Sequence, residues 1–435
     1  MAWAFYPRAL VGGTRMSAPD ALVHTELDGV TRRVGQLWIR ESRRGTFGAT
    51  FQYVDAWLER KDAFAVDPLL PLVSPGPFHK DRLFGAIADS APDRWGRTLM
   101  ARAERFRARR ENRAPRHLRE IDYVLGVSDI ARQGALRFSP PDREIFLAEA
   151  SEAAVPPLLE LPKLLAAAQG FLDDPDSEED LRILLAPGSS LGGARPKASI
   201  RDNEGHLSIA KFPRNDDLYS VGAWEHLALT MAREAGIRVA ESALISIEGQ
   251  DIIVLNRFDR DGERRTPFLS AMSLLDGVDQ EPRSYLEIAE VIRRFGAHAR
   301  ADLSELWRRM VFNIMVSNTD DHLRNHGFLY AGRGGWTLSP AYDLNPVPVQ
   351  VKPRFLSTSI GEDPNDTSAS LPLALEVAQH FDLSEEEARS AAVQLARVTR
   401  HWADRARSQG IRGAEIELMA SAFEHEDLAL ALTFE

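Results

Sequence analysis

Cysteine is absent from the chain, which excludes disulfide frameworks, thiolate nucleophiles and cysteine-ligated zinc. No run approaches the roughly 20 apolar residues that a bilayer-spanning helix needs. Residues 1–16 mix short apolar patches with Arg8 and Arg15 and lack the continuous apolar segment of an export signal. A cytoplasmic location without membrane contact is the expectation. Positive charge is in deficit as well: the net charge of −11 argues against whole-molecule attraction to nucleic acid or an anionic surface and leaves room only for a local basic patch. Internal repeats are missing, so a solenoid or propeller is not indicated.

What is present is a folded composition, 44% hydrophobic and 27% charged, over 435 residues, too long for one ordinary core. Short alternating patterns at residues 35–39 and 48–53 read as strands of a small sheet. After a proline-rich stretch, residues 81–107 turn helical and lead into an arginine-dense run: Arg102, Arg105, Arg107, Arg109, Arg110, Arg113, Arg116 and Arg119. That run reads as a solvated helix face with neighbouring acids. The acidic stretch 172–181 reads as an exposed connection or a helix start. A glycine-rich turn at 187–200 then enters a strand, and Asp202-Asn203-Glu204-Gly205 turns it into a second strand ending at Lys211-Phe212.

Residues 221–236 have the apolar spacing of an amphipathic helix closed by Gly236. Strands follow at 242–247 and 251–255, a long helix at about 304–316, and helices from 371 onward, where Ser384 and Glu387 form a capping-box pattern. Strands early and helices late describe a two-lobed α+β body.

Several residues in this order carry chemistry. Gly192-Gly193 would let backbone approach phosphates closely, although two glycines before a strand are equally an ordinary tight turn. Alternation places Lys211 on the face of Leu207 and Ile209, so its ammonium needs an anionic partner, and Glu225 on the next helix stands where a kinase would supply one. Lys197 is a second candidate for a phosphate contact.

The segment Asn318-Thr319-Asp320-Asp321-His322-Leu323-Arg324-Asn325 contains D-x-H-x-x-N, the order of a catalytic loop. Its aspartate would accept a hydroxyl proton and its asparagine oxygen would hold a metal ion; hard oxygen ligands suit Mg²⁺. A hairpin then delivers Asp343, where a second metal carboxylate belongs. Singly, Asp and Asn in loops are capping and turn residues; together their order points to phosphoryl transfer. His322 is expected to orient the loop by hydrogen bonding.

The stretches Ser190-Leu191-Gly192-Gly193-Ala194-Arg195-Pro196-Lys197, Ile209-Ala210-Lys211-Phe212-Pro213, Asn256-Arg257-Phe258-Asp259-Arg260, Asn318 to Asn325 and Pro340-Ala341-Tyr342-Asp343 resemble the HipA family, serine/threonine kinases that act as toxins in bacterial toxin–antitoxin pairs. Val34 to Trp38 and Phe84 to Arg97 are similar to that family's N-terminal module. The resemblance implies a two-lobed protein-kinase-like fold: an accessory module at 1–118, a β-rich N-lobe at 119–255 and an all-helical C-lobe at 256–435.

The resemblance also implies ATP and Mg²⁺ as cofactors, Asp320 as the catalytic aspartate, Asn325 and Asp343 as metal ligands, and Lys211 as the phosphate contact. Asn256 to Phe258 would form the adenine hinge. Ser190, or the adjacent Ser189, would be autophosphorylated. The implied partners are a protein substrate with a target serine and a HipB-like helix-turn-helix antitoxin, through which any DNA contact would run. Gly192-Gly193 and Arg195-Pro196 depart from the family's usual loop pairs, which bears on loop autoregulation and not on the Asp, Asn and Asp set. A small-molecule or lipid kinase and a non-catalytic ATP-binding module are the alternative readings.

Overall fold

The computed structural model describes residues 17–41, 47–72, 76–143, 145–146, 155–185, 195–333 and 335–434. The chain is α+β and divides into two compact units, Met1–Leu207 with Asp259–Leu269, and Ser208–Phe258 with Ser270–Glu435. These limits differ from the boundaries at 118 and 255 expected from the sequence. Pairing at long range is the reason: a strand at Leu136–Ser139 joins the N-terminal sheet, so the first unit runs well past residue 118.

In the first unit, β1 (Ala21–Leu27), β2 (Val30–Glu41), β3 (Phe47–Tyr53), β4 (Phe78–Lys80) and β5 (Leu136–Ser139) form an antiparallel sheet in the order β4-β3-β2-β1-β5. Val34, Leu37, Phe51 and Tyr53 are buried on it. Gly35 is required on β2 because a Cβ there would lie 2.4 Å from the Phe51 ring and 2.6 Å from the Gln52 carbonyl oxygen.

Helix α1 (Arg94–Arg110) starts at the N-cap Asp93, whose carboxylate accepts from the Gly96 amide at 2.6 Å. The arginines on it and just after it meet acids: Arg102 and Arg109 reach Asp176 on the turn between α2 (Leu161–Asp173) and α3 (Glu178–Leu185), while Arg113 and Arg116 converge on Glu104 of the helix. The acidic stretch 172–181 is thus both a connection and a helix start. Strand β6 (Lys197–Arg201) ends in the expected turn, where the Asp202 amide donates to the His206 carbonyl at 2.9 Å and Gly205 adopts φ +86°.

In the second unit, β7 (Leu207–Lys211), β8 (Ser242–Ile247) and β9 (Gln250–Asn256) pair antiparallel with β9 central. Helix α4 (Val221–Glu234) is capped by Ser220 and closed at Gly236, φ +84°. Its Trp224 packs beside Trp402 and Phe423, which stack on each other with ring centroids 4.7 Å apart.

Helix α5 (Tyr285–Phe295) opens with a capping box at Ser284 and Glu287. It precedes α6 (Ala299–Met315), which is buried through Leu303, Leu306, Trp307, Met310 and Phe312. The predicted all-helical region also carries a hairpin, β10 (Gly327–Tyr330) with β11 (Trp336–Leu338). Ser384 and Glu387 do form their capping box, at the start of α7 (Glu385–Thr399). Among the described residues no helix is long and apolar enough to cross a membrane.

Candidate active site

Helix α6 ends in a turn that aims the next segment. Ser317 takes a left-handed backbone, φ +51°, and the Asn318 amide donates back to the Asn313 carbonyl at 2.9 Å, so an orphan helix carbonyl is satisfied as the chain leaves the axis. Asp321 points into the core. Its carboxylate takes hydrogen bonds from Asn313 Nδ2 at 2.7 Å and from the Tyr285 hydroxyl, and His326 Nε2 lies at 3.1 Å. Burial would raise its pKa; the His326 ring and the donated hydrogen bonds outweigh that and hold it below the ordinary carboxylate range.

With Asp321 buried as an anchor, its neighbour Asp320 is exposed. The Asp320 carbonyl accepts from the His322 amide at 2.9 Å and from Asn325 Nδ2 at 3.1 Å. Asn325 has thus engaged its nitrogen, and its oxygen is the atom left for a cation. His322 departs from expectation. Its Nδ1 is buried without a hydrogen-bond partner, and the ring that orients the loop is that of His326.

Asp343 is brought in by clamps on the segment that follows the hairpin. The Ala341 amide donates to the Arg238 carbonyl at 2.8 Å, the Ala240 amide donates to the Ala341 carbonyl at 2.8 Å, and Arg309 of α6 donates to the Ser339 carbonyl at 2.8 Å. Asp343 itself has φ +60°, a region that costs a non-glycine residue of order 1 kcal/mol.

Lys211 ends β7 and places its ammonium between two carboxylates, 2.8 Å and 3.0 Å from the oxygens of Glu225 and 2.8 Å from Asp343 Oδ1. Burial by itself would lower the lysine pKa. The charges of Asp343 and Glu225 overcome it and hold the ammonium above its usual range.

The catalytic-loop motif and this trio are physically joined. Asn345 Nδ2 donates to Asp343 Oδ1 at 3.0 Å and its amide donates to Asn318 Oδ1 at 3.4 Å, while the Tyr342 hydroxyl donates to the Arg324 carbonyl at 2.6 Å. The Tyr342 ring also faces Phe258, with centroids 5.5 Å apart. Asn256 accepts from Ser208 Oγ at 3.0 Å and donates to Glu241 at 3.2 Å, so its side chain is engaged within the sheet.

The structure therefore gathers Lys211, Glu225 and Asp343 directly, and links Asp320 and Asn325 to them through Asn318 and Asn345. The described contacts of Lys197 are to Asp93 and Trp95: its buried ammonium bonds Asp93 at 2.7 Å and its carbonyl accepts from Trp95 Nε1 at 3.1 Å. Ser189, Ser190, Gly192 and Gly193 lie outside the described residues.

Sequence reasoning missed Asn313, Asp321, His326, Asn318 and Asn345. The first three serve through burial, which spacing does not reveal. The last two stood within or beside the motifs, and their polarity next to apolar segments was the available signal.

Asp343 and Asn325 offer oxygen donors only, the type Mg²⁺ takes. Among the described residues no group of three His, Cys, Asp or Glu stands ready to hold a metal on protein ligands alone. A site with few protein ligands fits a cation that brings phosphate and water oxygens with it.

Comparison with known proteins follows the same lines. The HipA N-terminal domain model matches residues 29–116 and the HipA-like C-terminal domain model matches residues 189–403. A provisionally named kinase of Haemophilus influenzae is 28% identical over 40% of this chain, which spans 56% of that relative's length. Y4mE of Sinorhizobium fredii, also provisionally named a kinase, is 25% identical over 72% of this chain and 74% of its own. Among solved structures, the HipA, HipB and operator DNA complex of the Shewanella oneidensis MR-1 toxin–antitoxin system aligns with TM-score 0.62 over 95% of this chain and 96% of that one, at 16% identity, a likeness of fold. The two family models together cover most of the sequence, and the chain belongs to the HipA-like family.

Proposed function

We propose that this chain is an ATP- and Mg²⁺-dependent kinase that phosphorylates serine on a protein substrate, autophosphorylates Ser190 or Ser189, and works beside a HipB-like antitoxin. One observation carries the reading most: Lys211 bridges Glu225 and Asp343 at hydrogen-bond distance, and the D-x-H-x-x-N loop is tied to that same Asp343. The kinase names of relatives and the antitoxin-bound state of the Shewanella protein support it.

Asp343 and Asn325 would hold the metal, and Lys211 would meet the phosphates with Glu225 fixing its ammonium. Bound Mg²⁺ supplies neutralisation of the charge that develops on the transferred phosphoryl group. The protein's own work is positional. Asp321 and its buried partners hold the loop so that Asp320 stands exposed at its tip, placed to accept the proton of a substrate hydroxyl. The Phe258 and Tyr342 rings supply an aromatic surface of the kind an adenine packs against.

The test is transfer of labelled phosphate from ATP. With Mg²⁺ the purified chain should label protein, and Asp320→Asn should lower the rate by about 100-fold to 10,000-fold, the usual contribution of a positioned base, while melting unchanged. Full labelling by Asp320→Asn overturns the catalytic assignment, and labelling of metabolites without any protein would replace the substrate class. Phosphopeptide mapping that places the group away from Ser189 and Ser190 would end the autoregulation reading.

A further inference from the structure

Asn345 lies two residues beyond Asp343, and the kinase reading gives it no contact with nucleotide or metal. Its side-chain nitrogen donates to Asp343 Oδ1 at 3.0 Å, the same oxygen that receives Lys211 at 2.8 Å. Its backbone amide is donated to Asn318 Oδ1 at 3.4 Å; Asn318 Nδ2 donates to Asn313 Oδ1 at 3.0 Å, and Asn313 Nδ2 to Asp321 Oδ2 at 2.7 Å. One line of hydrogen bonds thus runs from the buried floor of the catalytic loop to the carboxylate of Asp343.

The remaining atom of the amide, Asn345 Oδ1, is buried without a hydrogen-bond partner. Turning the amide over would not cure this, because it would set oxygen against the Asp343 carboxylate and remove the donor. A side chain kept for stability alone would satisfy both ends, since a buried acceptor without a donor is destabilising. An apolar residue would avoid that penalty altogether. Asp343 meanwhile stands on a left-handed backbone position with its side chain 36% exposed.

We propose that Asn345 is a positioning residue for Asp343: together with Lys211 it fixes the rotation of the carboxylate for the metal, and through Asn318 it couples that orientation to the loop carrying Asp320 and Asn325. The proposal rests on the kinase reading. Because Asn345 acts through Asp343, its loss falls on the metal and not on the nucleotide. Partners of metal ligands typically change metal affinity by about 10-fold to 100-fold.

The experiment is calorimetry with a non-hydrolysable ATP analogue, with and without Mg²⁺, and Mn²⁺ titration followed by electron paramagnetic resonance. Wild type, Asn345→Leu, Asp343→Asn and the double variant are compared. Asn345→Leu should weaken metal binding by about 10-fold to 100-fold with metal-free nucleotide affinity and melting unchanged, and should add nothing in the Asp343→Asn background. Equal metal affinity in wild type and Asn345→Leu overturns the positioning role and leaves the kinase reading standing. Metal and nucleotide affinity falling together would mark a collapsed site and also overturn it. Wild type that binds no Mg²⁺-nucleotide removes the kinase reading and this one with it. Should Asn345→Leu not fold, Asn345→Ala is judged by the same criteria.

Discussion

At the residue scale the ammonium of Lys211 is the pivot of the site. Its partner Glu225 has a side chain only 2% exposed, so removing the lysine takes the ammonium away from a carboxylate held out of water. Lys211→Met is expected to destabilise the second unit by about 3–5 kcal/mol, the usual range for breaking a buried pair. Lys211→Met combined with Glu225→Leu should recover part of the loss, because the buried negative charge goes with it. Urea unfolding measures both, and an unchanged midpoint in the single variant would mean that the trio contributes nothing to the fold. The residues that form this cluster were legible one by one: Lys211, Asp320, Asn325 and Asp343 sit in motifs, and Glu225 on the helix that follows the Lys211 strand. Asp321 and His326 were not, since a polar side chain turned inward looks in sequence like one turned outward.

Elements were legible wherever a cap or a period marked them. The helix at Val221–Glu234 has an apolar stripe and Gly236 beyond its end, and Ser384 with Glu387 announced Glu385–Thr399. Helix α6 begins at Ala299, five residues before the periodicity suggested, because its N-cap His298 makes no side-chain cap bond that could serve as a signal. Ser384→Ala should therefore cost about 1 kcal/mol of stability, and Ser384→Asp should cost less because it keeps an acceptor for the Glu387 amide. Equal losses would remove capping as the cause. In the first unit Gly35→Ala should be costlier, about 1–3 kcal/mol as overpacking commonly is, since the new methyl must displace the Phe51 ring and press on the Gln52 carbonyl. A melting temperature equal to wild type would show that β3 shifts freely.

At the scale of the whole molecule, a buried histidine in the second unit is expected to make stability sensitive to acid. His425 lies beside Met315, whose carbonyl is 3.1 Å from Nε2. Burial, then the charge of Arg354, lowers its pKa from 6.5 to about 4. The unfolded chain therefore binds a proton near pH 6.5 that the folded unit refuses until near pH 4. Stability is full above pH 6.5 and falls as pH drops through that window, by about 3 kcal/mol over the whole shift. His425→Gln, which can still donate to the Met315 carbonyl, should flatten this slope in denaturant midpoints taken from pH 7 to pH 4.5. An identical slope in the variant would assign the acid loss to other groups.

The sequence by itself determined the elements marked by a cap or a period and the side chains that the phosphoryl-transfer reading uses, because capping, periodicity and motif spacing are local properties of the chain. The family resemblance rested on the same local motifs and needed no contacts. Tertiary structure alone decided which strand joins which sheet, that Lys197 answers to Asp93, and that Asn345 links Asp343 to the catalytic loop. Those outcomes depend on residues far apart in sequence competing to satisfy buried charges and hydrogen bonds, and that competition is settled only when the whole chain has packed.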